Sequence, residues 1–333
     1  MLKKLNLQLF AEANTQTTNA SGLSIEMKTY YSDYLIDNAT AKLVHDQFGQ
    51  KHPIPKNGGK TIEFRKFSPL GKQTTPLQEG VTPDGQTLTV TNVTATVAQY
   101  GGYVTLSDIL LLTAIDNNLV QATKLLGNQA GATLDTITRD VLNGGTNVIY
   151  SGGVTERGAL SGGSDNASDN CYLTVEDVKL AVRALKTQNA EKINGDWIGI
   201  IHPDVSHDLT NDPAWKDVKT YSDPSDIYEG EIGKIFGVRF VETTEAKIWA
   251  GAGAGGRAVY STLILADNAY GVTEISGGGL EHIVKQLGSA GTSDPINQRA
   301  TVGWKATKVA ERLVENFMVR IESCSTFNPT ENN

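Results

Sequence analysis

From Leu112 to Val141 apolar residues recur at spacings of three and four, through Ile115, Leu119, Ala122, Leu126, Ala130, Leu134 and Ile137. That period is one face of an amphipathic helix. Ser107 offers an N-cap and Asn143-Gly144-Gly145 a C-terminal stop, so the pattern predicts one helix over 105–143. At 1.5 Å per residue it would extend on the order of 50 Å, with Gly127 and Gly131 as points of bending. A helix of that length is a strut, and the rest of the chain must be arranged around it.

Before the strut comes a β-rich excursion. Lys60-Thr61-Ile62-Glu63-Phe64-Arg65-Lys66-Phe67 reads as one strand and residues 86–97 as a second, alternating one. In the second, the apolar phase passes from Leu88 and Val90 to Val93, Ala95 and Val97, which predicts a bulge near Asn92. Pro69, Gly71, Pro76, Gly80 and the turn Thr82-Pro83-Asp84-Gly85 lie between. An isolated two-stranded ribbon is marginal in water, so this arm needs a neighbouring surface. Residues 1–28 are too polar to offset the entropy of ordering and predict a flexible arm. Over 29–48 the residues Tyr30, Tyr34, Leu35, Leu43, Val44 and Phe48 form a loose helical pattern, which ends at Gly49 and His52-Pro53-Ile54-Pro55.

After the strut the texture becomes that of a compact α+β unit. Thr174-Val175-Glu176-Asp177 resembles a capping box opening a helix with Val178, Ala181, Val182 and Leu185 inward. Trp197–Ile201 reads as a buried strand ended by His202-Pro203, and a short helix follows over Asp204–Leu209. Ile235–Val241 and Val259–Leu265 supply further strands. Alternating strands return over Thr301–Ser323, with Phe317, Val319 and Ile321 on one side.

Composition narrows the function. The 333-residue chain has a formal net charge of -8 and no concentration of Lys and Arg, which excludes a phosphate-tracking surface and sequence-specific nucleic-acid binding. Hydrophobic content of 39% with 34 glycines favours extended β structure and long loops over one compact enzyme globule. Cys171 and Cys324 make neither a disulfide framework nor a four-ligand zinc site, and suit a reducing compartment. Met1–Ala13 imitates a signal peptide, but Asn6 and Gln8 interrupt its short apolar run. Nothing downstream approaches the ~20 apolar residues of a membrane span.

Motifs with catalytic overtones each carry a plainer reading. Ser206-His207-Asp208 holds the residue types of a triad, but sequence neighbours project in different directions. His202 and His207 lack the His-Glu-x-x-His frame of a zinc site. Gly251–Gly256 lacks the Gly-Lys-Ser/Thr ending of a phosphate loop and runs into a β-like segment through Arg257. The acidic residues Asp223, Asp226, Glu229 and Glu231 sit in polar surroundings where carboxylates stay solvated. No catalytic, metal-binding or cofactor-binding residue is expected, and no cofactor.

Three stretches nevertheless resemble a known family. These are Lys3-Lys4-Leu5-Asn6-Leu7-Gln8-Leu9-Phe10-Ala11, the segment Ile232–Glu242, and Asp294-Pro295-Ile296-Asn297-Gln298-Arg299-Ala300-Thr301-Val302-Gly303-Trp304-Lys305 running on to Glu322. They are similar, in the same order, to major capsid proteins of tailed bacteriophages with the Hong Kong 97-type fold. The resemblance implies an α+β fold with an N-terminal arm (1–55), an extended β-hairpin loop or E-loop (56–103), a peripheral domain with a long spine helix (104–171), an axial domain (172–280) and closing peripheral strands (281–333). It implies hexamers and pentamers of the chain tiling an icosahedral head around double-stranded DNA, assembled in the bacterial cytoplasm with a separate scaffolding protein and a portal, and with room for a decoration protein. Lys56, Lys60, Lys66 and Lys72 lie in or beside the loop, but no local signature supports a covalent cross-link. The candidate assembly residues are Phe64, Pro83, Asp84, Gly85, Asn297, Gln298, Arg299 and Trp304. The alternatives are a tail-tube or decoration protein and, outside virions, a hydrolase.

Overall fold

The computed structural model describes residues 15–16, 44–67, 70–114, 118–164, 169–215, 233–276, 279–289 and 294–333. Its helices are α1 (Asp108–Thr113), α2 (Asn118–Asn143), α3 (Val175–Thr187) and α4 (Pro203–Asn211). The first strands are β1 (Thr15–Gln16), β2 (Gln50–Lys51), β3 (Thr61–Phe67), β4 (Val90–Thr96) and β5 (Ala98–Ser107). They are followed by β6 (Val148–Tyr150), β7 (Trp197–Ile201), β8 (Lys234–Ile235), β9 (Val238–Glu242) and β10 (Ile248–Trp249). The last are β11 (Val259–Leu265), β12 (Tyr270–Thr273), β13 (Glu281–Lys285), β14 (Arg299–Arg312) and β15 (Met318–Ser323). The chain divides into two compact units, one of segments 1–42, 99–134 and 277–307, the other of 43–98, 135–276 and 308–333.

The second unit is built on a mixed sheet in the order β6-β15-β11-β7-β9-β8, with β10 also on β11. Every residue of β7, β11 and β15 is buried. Strands covered on both faces carry near-continuous apolar runs, which is why Trp197–Ile201 and Val259–Leu265 stand out in the sequence. Alternate residues feed two cores. Tyr260, Ile264, Val319 and Ile321 meet Val178, Ala181, Val182 and Leu185 of α3 and Val205 and Leu209 of α4. Leu263, Leu265 and Met318 meet Leu142 and Tyr270 on the other face.

Helix α3 begins at the expected capping box, with Thr174 accepting from the Asp177 N–H and Asp177 accepting from the Thr174 N–H. Two polar devices finish the unit's surface. Arg157 holds both oxygens of the fully buried Glu322 at 2.7 Å and lies 3.7 Å over the Trp249 ring. The side-chain oxygens of Asn328, Asn332 and Asn333 accept from the backbone N–H groups of Ala258, Ala250 and Ile248, satisfying donors that no strand reaches.

In the first unit β5 pairs with β14, β13 adds to β14 and β1 pairs with β5 in parallel. Its core is thin: Ala122, Leu126, Ala130 and Leu134 on α2, with Leu106, Leu110, Ala300, Val302 and Trp304. No residue of β13 is buried.

The structure corrects the sequence reading in several places. The single helix expected over 105–143 is broken: 105–107 belong to β5, α1 ends where Ala114 turns extended at φ -71 and ψ 139, and α2 restarts at Asn118. Asp and Asn, the residue types at 116–118, favour helix ends over helix interiors. Gly127 and Gly131 do not interrupt α2, whose 26 residues make it about 39 Å long. The bulge near Asn92 is absent, because the β3–β4 register is unbroken from Thr61↔Thr96 to Phe67↔Val90. Leu88 lies beyond the ladder, and Val90, paired with Phe67 at its end, falls on the exposed outward face with Asn92 and Thr94.

The strand expected over Ile235–Val241 is a hairpin, β8 and β9 joined through Phe236-Gly237. β15, grouped in the sequence reading with the closing peripheral strands, stands between β6 and β11 in the seven-stranded sheet. Of the arm and the 29–48 helix, residues 1–14 and 17–43 lie outside the described residues, and 45–48 are turn and bend.

Gly199 faces Phe240 across the parallel β7–β9 register, and a Cβ there would lie 2.7 Å from the ring. Gly199→Ala is therefore expected to lower stability by about 1–3 kcal/mol through overpacking, read as a lower urea midpoint. Cys171 and Cys324 are free and buried with Leu160 and Val259, and burial pushes the Cys324 thiol up to about 11. A raised native pKa stabilises fully below the unfolded value of 9.0 and is lost as pH climbs past it. At pH 8 a maleimide should leave the native protein unlabelled and add to both thiols in urea, as intact mass will show.

Candidate assembly surfaces

The excursion between β3 and β4 is anchored at its root and unsupported at its tip. Ile62, Phe64 and Val93 are half-buried and Ala95 and Val97 buried on the inner face of the ribbon, while Thr61, Glu63, Arg65, Asn92, Thr94 and Thr96 face outward. Phe64 is seated by an absence: a Cβ on Gly271 would come within 3.0 Å of its ring, and His52 meets the other side edge-on at 5.9 Å. Beside this seat a cavity of about 530 Å³ opens between the ribbon, Gln50–Pro53 and Leu313–Val314.

Beyond the ladder, 81–89 has no regular structure, and Leu77 and Leu88 are 76% and 68% exposed, with Leu70 and Val81 also in solvent. Gln86 donates to the Gly71 carbonyl and the Val81 N–H to Gln78, enough to shape the tip without burying it. Pro83, Asp84 and Gly85 all lie in this exposed stretch.

The chain entering the ribbon is pinned by a buried polar cluster that local sequence does not announce. His45 donates its N–H to Asp135 Oδ1 at 2.8 Å and its Nδ1 stands 2.6 Å from Oδ2. Asp46 takes the Thr138 hydroxyl and the Lys308 ammonium, and the Tyr270 hydroxyl donates to the His45 carbonyl. Burial pushes the Lys308 ammonium down, with Asp46, then Asp135 and Glu274, pulling it back up. Burial likewise pushes the Tyr270 phenol upward. These residues come from four segments, and Asp46 and Lys308 are 262 positions apart. No spacing rule could have paired them.

In the first unit the segment from Asp294 is a tied turn. The buried Asp294 accepts from the Arg299 N–H at 2.8 Å, its carbonyl accepts from Asn297, and the Gln298 carbonyl accepts from Asp108. Asn297 takes φ 55, and Asn297 and Gln298 leave their side chains exposed. Trp304 is 6% exposed and donates to Gln129 Oε1 at 3.3 Å. It serves the fold of its own chain, as Phe64 does in part; Pro83, Asp84, Gly85, Asn297 and Gln298 present free surface.

The catalytic look-alikes resolve into structure. Both Asp208 oxygens are taken by Ser325 and Thr326, and His207 meets Phe327 edge-on. His202 caps α4, its imidazole pushed down by burial. The glycines of 251–256 form a short turn, and Arg257 after them donates to the Ser325 carbonyl. Asp223, Asp226, Glu229 and Glu231 lie outside the described residues.

A family model described as phage capsid protein matches residues 91–316, more than half of the chain. The chain belongs to the phage capsid protein family. Solved structures of the same fold include the capsid of Ralstonia phage GP4, at TM-score 0.69 and 15% identity over 94% of this chain and 100% of that one. The capsid of cyanophage P-SCSP1u matches at TM-score 0.65 and 13% identity over 88% and 91%, and that of cyanophage Pam1 at 0.65 and 14% over 89% and 94%. A comparison with curated proteins finds no match. The fold is the Hong Kong 97-like one, and this phage capsid protein is a tailed-phage major capsid protein, a structural component that forms the virion head by self-assembly. Neither the tail-tube and decoration alternatives nor the hydrolase is favoured.

Removing a buried carboxylate that holds a backbone N–H and an imidazole costs about 1–3 kcal/mol for each group left stranded. Asp135→Ala should reach that loss in urea denaturation, whereas Glu176→Ala, which removes the exposed pair with Lys179, should cost less than about 1 kcal/mol.

Proposed function

We propose that this capsid protein assembles as hexamers and pentamers in which the 70–89 tip of each subunit lies on its neighbour. The observation that carries this is the exposure of Leu70, Leu77, Val81 and Leu88 on a segment that the described residues of its own subunit do not cover. Full burial of such side chains contributes about 1.5–3 kcal/mol each, and a neighbour is the surface that supplies it. Contacts made head to tail close into rings when the rotation permits, and rings of five and six tile an icosahedral shell. In this reading 1–55 is the arm, 56–103 the E-loop, 104–171 and the strands that return from 281 the peripheral domain and 172–280 the axial domain, with β15 going with the axial strand β11 beside it. Pro83, Asp84, Gly85, Asn297, Gln298 and Arg299 are its assembly contacts.

The head encloses double-stranded DNA without reading its sequence, in keeping with the net charge of -8. Assembly takes place in the bacterial cytoplasm with a separate scaffolding protein and a portal, and a decoration protein is compatible with it. The occupied Asp208 carboxylate and the capping role of His202 support a protein without catalysis.

Negative-stain microscopy of the protein, expressed alone and with a scaffolding protein, should show closed shells or rings of five and six. A single small species in both cases would refute the reading. Deleting 68–86 should leave a cooperatively folded subunit that forms no shells, and intact shells from that variant would remove the loop from assembly.

A further inference from the structure

Six non-glycine residues among those described hold φ in the left-handed region: Asn57, Asn189, Asn194, Phe236, Asn268 and Asn297. Five are asparagine, whose short amide tolerates that conformation, and the sixth is a bulky aromatic, for which it is rare and strained. Phe236, at φ 49, and Gly237, at φ 79, form the two-residue connection between β8 and β9. Asn-Gly is the preferred pair for such turns. This same chain uses it at Asn194-Gly195, φ 51 and 93, between the bridged residues Ile193 and Asp196. The turn itself therefore does not call for phenylalanine.

Among the described residues, internal packing does not call for it either. Phe236 is 43% exposed and belongs to neither core of its unit. Its ring contact is the Lys179 ammonium at 5.7 Å, near the limit of a cation–π interaction. Leu180, next to Lys179 on α3, is exposed as well. Lys192 reaches the turn, 3.1 Å from where a Gly237 Cβ would sit, and lies 4.6 Å over the Trp197 ring, with Lys186 at 5.6 Å. Neither Lys186 nor Lys192 has a carboxylate partner among the described residues. Backbone strain kept at an exposed aromatic points to a role outside the subunit's own folding.

We infer that Phe236 is an anchor by which one copy of the subunit docks on the next, its ring entering the neighbour while Lys186 and Lys192 face that copy's carboxylates; Lys179 is already paired with Glu176 at 2.7 Å. A second copy is the fitting occupant because the chain self-assembles and carries 37 acidic against 29 basic residues, so a cationic rim meets complementary charge. A rigid aromatic ringed by polar groups is also the usual form of an interface hot spot. The inference rests on self-assembly of the capsid protein, and wild-type protein in the same assay tests that separately.

The experiment compares wild type, Phe236→Asn and Phe236→Tyr by urea denaturation of unassembled subunits and by light scattering and microscopy across protein concentration. Phe236→Asn should fold with an equal or higher urea midpoint, because asparagine suits the turn, yet need about tenfold more protein to form shells. Phe236→Tyr, which keeps the ring, should assemble near the wild-type concentration. Assembly of Phe236→Asn at the wild-type concentration would overturn the anchor. So would a midpoint that falls along with assembly, since Phe236 would then be acting inside its own subunit. Wild type that forms no shells would sink the assembly reading and the anchor with it.

Discussion

The antiparallel pairing of β11 with β15 is the constraint on which the second unit depends. It joins residues 260–265 to 318–323 in a six-pair register, buried along its whole length. A strand pair with both faces covered leaves the backbone only ladder partners, so β6 and β7 must complete it on either side. Helices must then lie on it. The first layer is α3 and α4, brought in by Val178, Leu185, Val205 and Leu209; the opposite face takes Leu142 and Tyr270. Glu322, at the end of β15, is wholly buried and made tenable by Arg157 and Arg320, so charge as well as apolar area fixes where the chain crosses.

The cluster of His45, Asp46, Asp135 and Lys308 does different work. Buried ion pairs seldom add net stability over apolar residues of the same shape, and this one leaves His45 Nε2 without a hydrogen-bond partner in the described structure. Its value lies in position. Each charge is satisfied only when 44–46 stands against Asp135, Thr138 and Lys308, which sets the chain for the parallel pairing of β2 with β12 and the Ile54↔Ile275 bridge. The root of the ribbon follows from there, since His52 and Gly271 both frame Phe64.

What the sequence made legible was local. The α3 capping box, the buried run of β7 and the ribbon of β3 and β4 each carry their signal within a dozen residues, and each is present in the structure. The helix break at Ala114 was hidden because an apolar period of three to four continues across it, although the sequence there holds Asp-Asn-Asn, residue types that favour helix ends over interiors. The Phe236-Gly237 turn was hidden for the opposite reason: it lacks the asparagine that marks such turns, and the apolar run reads through it. The place of β15 in its sheet and the pairing of Asp46 with Lys308 depend on contacts between distant segments. Alternation shows that a strand has a buried face, not which strand it will meet.

The distribution of exposed apolar side chains closes the argument. A subunit selected only for its own stability would place asparagine at the β8–β9 turn, as this chain does at Asn194, and polar residues at Leu77, Val81 and Leu88. Instead it leaves apolar groups in water on elements that its cores do not claim. Single exposed leucines are ordinary on protein surfaces, but a strained aromatic and an uncovered run of Leu70, Leu77, Val81 and Leu88 are costs to the isolated chain that its fold does not recover. In the proposed assembly, those costs fall on the free subunit and are offset in the shell. The equilibrium between the two is thereby shifted toward assembly without making the subunit itself more stable.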